Sequence, residues 1–508
     1  MPYPYRTFRD WFDEEEKRGG VVRIKKPFKC GDYSNIVDIG NNIPGKIPET
    51  NVRALARYLH SLPGKPMAIV ENPIDNRPDI PVVINPFPTR ERVLTGMGFK
   101  DKEEMCRKLA DIPGNRVKPV KVARRDALCK QVIIPEDKID LKKDVARIWV
   151  EFNQCLWNGC NGTWVTYDPE TKTHGLAKTR LGMFEWENAN PRTPSPEERV
   201  KKYGFATVAR RGRPIQGNAG KYLYAKYRSQ NKPMPSAFVY GLPPDIQVIA
   251  AFKLLKWPET GDEYEAVGSL RGEPLELVES ETVPGMMVPA EAEWVIEGEF
   301  LTEDYLTPPF GEDVGAGMMI GEANWPIFRV KCITHRKGPW WTGATFSSNG
   351  LNGHLGTHTG LVISQGEVAV INYLRSLGFR VKDVVVVGGL SKLIIQMEVD
   401  GDEKPEADYG KKVCSALAGS LKLQFAFGGA IVVGPDINPY DLEDVMWAMC
   451  MRGGFRQDID CLQRASAYEA HVAMMTPKPG FTESGLMVRT EPAAWEQQAI
   501  ARMQHELG

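Results

Sequence analysis

Hydrophobic and polar positions change their period along this chain, and the changes mark out its parts. Over residues 1–130 helical and strand spacings alternate. Residues 7–17 read as a helix and 21–24 as a strand, while 52–62 forms an amphipathic helix with Leu55, Leu59 and Leu62 inward. Strands at 67–71 and 80–84 and helices at 89–96 and 102–110 complete an N-terminal α/β domain. Residues 131–345 are richer in strands: 164–167 and 175–184 flank the turn-forming residues 168–172, and further strands read at 236–240, 292–300 and 327–335. Helices fall between them near 245–254 and 263–271. Glycines crowd 350–360, and a C-terminal α/β domain, 346–508, follows. It has helices at 368–377, 411–419 and 439–449, and strands at 384–387, 393–399 and 430–433. An amphipathic helix over 493–507 ends the chain and is expected to dock on a partner subunit. The whole reads as α+β.

Composition narrows the class. At 508 residues the chain exceeds what one core serves, so two or three domains are expected. The formal net charge of −1 gives no electrostatic case for nucleic acid or a membrane surface. Nine cysteines without a CxxC pair argue against a zinc ribbon or a disulfide framework and fit a reducing cytoplasm. The first residues lack a basic then apolar leader, and no apolar run reaches the ~18 residues needed to span a bilayer.

The most informative stretch is 288–312, VPAEAEWVIEGEFLTEDYLTPPFGE. An apolar-alternating strand carries glutamates at 291, 293, 297 and 299 and runs into a turn fixed by proline and glycine that ends on Glu312. Two readings stay open from these residues: a carboxylate whose burial makes it a proton carrier near neutrality, or a solvated hairpin with a charged tip. The stretch resembles the VPA-x-AE-x-V-x-EGE and PFGE signature of the UbiD family, the prenylated-flavin-dependent decarboxylases and carboxylases. EYEAVGSLRG at 263–272 resembles the family's E-x-x-x-x-G-x-LRG helix, and THRK at 334–337 its strand end. MPSAFVYGLPP at 234–244, VGPDINPYDLEDVMWAM at 433–449, FRDWFDEEEKRGGVVRIKKP at 8–27 and MAIVENP at 67–73 resemble further segments in family order.

The resemblance implies a flavin-reductase-like split β-barrel over 131–345 and a prenylated FMN that acts as the electron sink. It also implies a divalent metal, manganese or magnesium, tying the cofactor phosphate to the protein, with potassium a further candidate ion. The implied partners are an aromatic substrate with carbon dioxide or bicarbonate, a flavin prenyltransferase that supplies the cofactor, and related or identical subunits in a dimer, hexamer or hetero-oligomer. Carried over position by position, the metal-ligand glutamate falls on Glu263 and the acid/base carboxylate on Glu312. The other positions depart from the family. Its asparagine becomes Thr173, its arginine Lys178, and the first network glutamate Thr307. Its metal-ligand histidine falls within QGNAG at 216–220, where Asn218 is the polar candidate. Lysine cannot reproduce arginine's bidentate fork, and threonine cannot carry a proton as a carboxylic acid does.

Nearby residues offer substitutes. Arg180 and His174 share strand parity with Lys178. His354 and His358 lie in a glycine-rich stretch read as a polar active-site loop, His335 ends a strand, and Trp340-Trp341 is an aromatic wall or part of the core. The sequence thus points to a reversible carboxy-lyase of an aromatic substrate, leaning to carboxylation in anaerobic degradation. The competing reading is a non-catalytic assembly subunit that has lost the cofactor site.

Overall fold

The computed structural model describes residues 3–30, 33–38, 46–74, 77–146, 156–157, 162–178, 181–183, 203–206, 219–251, 261–306, 312–313, 319–320, 325–342, 359–387, 392–398, 409–419, 429–452 and 493–507. The chain is α+β, with several separate sheets.

The N-terminal helix Phe8–Lys17 starts on a capping box in which Thr7 and Asp10 each receive the other's backbone N–H. It buries Phe8, Trp11 and Phe12, with Trp11 stacked on Phe87 at 4.7 Å. The sheet of this region orders Val21–Ile24, Met67–Val70 and Val82–Ile84, and its fourth strand is Trp341–Thr342, parallel to Val82–Ile84. The N-terminal sheet therefore borrows its last strand from beyond the central sheet.

The central sheet has nine strands. Its hydrogen-bonded path runs Thr173–Lys178, Thr163–Asp168, Met234–Tyr240, Trp294–Leu306, Trp325–His335, Tyr203–Ala206, Leu181–Met183 and Leu156–Trp157, with Val132–Pro135 also pairing on Trp325–His335. The single strand read from the sequence over 175–184 is thus two, lying first and seventh in the path. Six strand spacings of about 4.8 Å would separate them in a flat sheet. Yet Lys178 and Leu181 are three residues apart, a reach of about 11 Å at most. The sheet must be strongly rolled, although among the described residues no hydrogen bonds close it.

Both faces of this sheet are buried. One carries Val165, Leu176, Ala237, Val239 and Val295 against the helices Pro244–Ala251 and Glu263–Arg271. The other carries Trp164, Ala177, Phe238, Trp294, Ile296 and Phe300 against the helix Ala219–Ser229. That helix sits close because Gly175 and Gly220 have no side chains: a Cβ on Gly175 would lie 2.0 Å from Ala219 Cβ, and one on Gly220 2.2 Å from the Trp164 ring.

The helix Thr359–Ser376 leads to the C-terminal sheet of Val381–Val387, Lys392–Met397 and Ala430–Val433. Glu367, fully buried in that helix, accepts from Arg90 Nε at 2.8 Å and Val386 N at 2.8 Å, and pairs with Lys102 Nζ at 2.9 Å. Helix Leu442–Met451 is capped by Asp441, which accepts from Glu443 N at 2.9 Å. The last helix, Ala493–Leu507, packs on Asn51–Ser61 of the same chain, with Met503 fully buried and Arg502 donating to Asn51 Oδ1 at 2.8 Å.

At the centre of the sheet the strand Trp294–Leu306 shifts register between Glu297 and Gly298. A Cβ on Gly298 would sit 2.1 Å from the carbonyl oxygen of Arg329, a backbone atom that cannot swing aside. Gly298→Ala is expected to cost about 3 kcal/mol, the upper end for overpacking a core. Urea denaturation measures this, and an unchanged midpoint would show that the two strands can part there.

Candidate active site

The strand Thr173–Lys178 is an edge of the central sheet, so every second backbone N–H needs a partner outside it. The start of the helix Glu263–Arg271 supplies acceptors at the same spacing. His174 N donates to Asp262 Oδ2 at 2.9 Å, and Leu176 N donates to Glu263 Oε2. Asp262 is also the helix N-cap, its Oδ1 accepting from Tyr264 N at 2.9 Å.

His174 is tied down on both sides. Its Nε2 accepts from Met287 N at 2.9 Å, which leaves the proton on Nδ1, 2.6 Å from Asp262 Oδ2. The buried ring lies between Tyr167 and Tyr264, with centroids at 4.9 and 5.1 Å. Both ring nitrogens are therefore spent on the protein itself. Lys178, at the far end of the strand, donates to Gln247 Oε1 at 2.7 Å, and Gln247 Nε2 donates to Leu242 O at 2.7 Å. That second bond fixes which end of the Gln247 amide faces the lysine.

The helix motif now has physical meaning at each position. Gly268 is required because a Cβ there would meet Val117 O at 2.5 Å. Arg271 binds Asp245 and, at 3.1 Å, Glu291, all three buried, and Gly272 ends the helix at φ +71°. Glu263 alone has no structural pairing of this kind: among the described residues no basic side chain lies within ion-pair distance. Burial pushes its carboxyl up to about 8, against the opposing pull of the Leu176 N–H.

The two readings of this stretch concern the turn that ends on Glu312, whose side chain lies outside the described residues; the four glutamates before it are described. All four are buried and paired. Glu291 joins Arg271, although burial outweighs that arginine and pushes its carboxyl up to about 7. Glu293 takes Arg9 Nε at 2.8 Å, Arg336 at 3.1 Å and Trp340 N at 2.9 Å. Burial alone would raise Glu297, but Lys130 at 3.0 Å and donors from Ser280 and Glu281 outweigh it and hold the carboxyl below its usual range. Glu299 meets Arg329, and Lys331 at 2.7 Å.

The remaining candidates are dispersed. Thr173 lies at the start of the edge strand, its hydroxyl 2.7 Å from that of Thr171. Glu312 begins the short strand Glu312–Asp313, which pairs with Met319–Ile320; its side chain lies outside the described residues, as do Arg180, Asn218, Thr307, His354 and His358. His335 packs on Trp294 at 4.5 Å, with burial holding its imidazole below the usual range. Trp341 is core, and Trp340 lies under Arg9 at 4.4 Å. Among the described residues no three His, Cys, Asp or Glu side chains converge as a metal-ligand set. Asp262 and Gln247 were missed from the sequence: Asp262 had a visible N-cap signal, Gln247 none.

A hard divalent cation fits Glu263. It is a buried oxygen donor at a helix start, with one backbone N–H as its described partner and a carboxyl that burial drives toward the neutral form. In the metal-free chain the folded state keeps this proton while the unfolded state releases it near 4.5. Stability therefore falls as pH rises from about 4.5 to about 8. Glu263→Gln is expected to match the wild type near pH 5 and exceed it by on the order of 3–5 kcal/mol above pH 8. Denaturation of both chains across that range measures it; a gap that does not vary with pH would mean Glu263 keeps an ordinary pKa.

Comparison with known proteins agrees with this architecture. The family model for the 3-octaprenyl-4-hydroxybenzoate carboxy-lyase Rift-related domain matches residues 120–349, and that for the C-terminal domain of the same enzyme matches 367–484. Among solved structures, an evolved dimeric form of the UbiD-class enzyme HmfF from Pelotomaculum thermopropionicum, in complex with prFMN, is 21% identical. The match covers 88% of this chain and 90% of that one, with a TM-score of 0.69. The closed form of Sedimentibacter hydroxybenzoicus vanillic acid decarboxylase is 20% identical over 88% of this chain and 85% of that one, with a TM-score of 0.67. Klebsiella pneumoniae 3,4-dihydroxybenzoic acid decarboxylase is 21% identical over 88% and 85%, with a TM-score of 0.66. With matching models over most of its length and the helix and strand motifs seated as described, the chain belongs to the UbiD family of carboxy-lyases.

Proposed function

We infer that this carboxy-lyase uses prenylated FMN with a divalent metal, manganese or magnesium, and acts on an aromatic acid or arene. Anaerobic carboxylation is its favoured direction. The observation that carries the reading is Glu263, a buried carboxylate at a helix start with no basic side chain in ion-pair reach among the described residues. The substrates and the prFMN complex of the similar structures support it. The rolled sheet is read as the wall of a flavin-reductase-like split barrel.

When bound, the prenylated flavin supplies an electron sink for the charge left on carbon as carbon dioxide departs. The chain's own residues position and charge the site. Glu263 would hold the divalent metal, with Thr173 and Asn218 as further polar candidates for the cofactor site and potassium as a further ion. Lys178, steered by Gln247, places a positive charge beside the substrate carboxylate, and Arg180, two residues on in the sequence, is a second candidate cation. Glu312 carries the proton, because Thr307 cannot. The enzyme works in the cytoplasm as a dimer or hexamer, or with related subunits, and a flavin prenyltransferase supplies its cofactor.

One observation favours a second reading, a non-catalytic assembly subunit: the family's asparagine, arginine and first network glutamate are replaced by Thr173, Lys178 and Thr307, and its histidine is missing from 216–220. Protein co-produced with a flavin prenyltransferase and purified without oxygen separates the two. The catalytic reading expects near-ultraviolet and visible absorbance, the intact mass of prenylated FMN, and exchange of labelled bicarbonate into an aromatic acid. A colourless chain would support the assembly role. In the active protein Glu312→Gln is expected to lower turnover by roughly 10²–10⁴-fold with cofactor retained. Full activity would move the proton step to another residue.

A further inference from the structure

Two adjacent carboxylates, Asp262 and Glu263, open the same helix, yet the structure treats them differently. Both oxygens of Asp262 are committed: Oδ1 to Tyr264 N, and Oδ2 to the backbone N and Nδ1 of His174. Among the described residues Glu263 has one backbone donor, Leu176 N. The residue that makes the difference is His174, because Met287 N occupies its Nε2 and so forces Nδ1 to donate. His174 thereby joins three segments at one point: the edge strand, the helix start and the strand Met287–Pro289.

We propose that His174 is a positioning residue for the metal end of the cofactor site. It does not touch the cofactor. It locks Asp262 as a structural cap, so that Glu263 alone of the pair is presented to the cation, at a fixed place along the edge strand. This inference rests on the reading of Glu263 as the metal-holding carboxylate. Outer partners of this kind typically alter metal affinity by about 10–100-fold when removed. Without the clamp, the first helical turn is free to slide along the edge strand, and Asp262 becomes a second, misplaced oxygen donor.

The test measures binding of manganese(II) and FMN to the full chain, by flavin fluorescence titration and manganese paramagnetic resonance, beside thermal melting. His174→Leu is expected to weaken binding by at least about tenfold. His174→Asn keeps a donor to Asp262 at the reach of Nδ1 and is expected to recover most of the loss. Tyr264→Phe is the structural control: it removes the bond from the Tyr264 hydroxyl to Met287 O at 3.1 Å, in the same neighbourhood, without touching the Asp262 side chain. It is expected to lower the melting temperature and leave affinity unchanged. Should His174→Leu not fold, Asp262→Asn replaces it with the same expectation, since asparagine still caps the helix.

Wild-type affinity in His174→Leu, with binding lost in Glu263→Gln, would overturn the proposal and leave the functional reading standing. Equal weakening in Tyr264→Phe would also overturn it, as general loosening. Wild-type affinity in Glu263→Gln would remove Glu263 from the cofactor site, and both readings would fall together.

Discussion

A buried charge must find its opposite, and in this chain that requirement gathers on one strand. Glu291, Glu293, Glu297 and Glu299 sit on or just before Trp294–Leu306, all buried, each answered from a different part of the sequence. Arg271 comes from a helix, Arg9 from the N-terminal helix, Lys130 from the approach to the sheet, and Arg329 from the neighbouring strand. Such pairs add little net stability, because desolvation offsets their attraction, but leaving one carboxylate unanswered costs several kcal/mol. Their effect is to exclude wrong arrangements. Only a fold that brings these segments to this strand leaves no charge stranded.

The candidate site uses the same physics with one term left open. An edge strand must have its outward N–H groups satisfied, and a helix start has acceptors to offer when it begins with acidic residues. Joining the two buries Glu263 against Leu176, with no basic side chain in ion-pair reach among the described residues. Everything around it is closed: Asp262 by His174, Arg271 by Asp245 and Glu291, Gly268 by Val117. Among the described residues, Glu263 is the buried carboxylate of this neighbourhood that no basic side chain answers.

Much of this could be read in advance. Helices and strands of the N-terminal and C-terminal parts follow their apolar periods, and the family motif places Glu263 at a helix start. The failures have physical causes. The 175–184 strand is broken because a rolled sheet sends one run of residues to two distant ladder positions, and periodicity along a strand carries no information about which neighbour it pairs with. The partners of the strand glutamates could not be read from the sequence, because Arg9 and Lys130 lie far off along the chain. His174 gave the right strand parity, but which atoms its ring nitrogens meet depends on Met287, more than a hundred residues away.

The fourth strand of the N-terminal sheet has a consequence for how the protein is made. Trp341–Thr342 completes a sheet whose other strands all lie before residue 85. A ribosome must therefore finish the whole central sheet before the first one can close. Until then Val82–Ile84 is an open, fully apolar edge on a nascent chain, the kind of surface that chaperones cover and that aggregates when they do not. Cutting the molecule at the apparent border between its first and second parts would strand the same edge permanently. The N-terminal part is a region of this fold and not a module that can be lifted out of it.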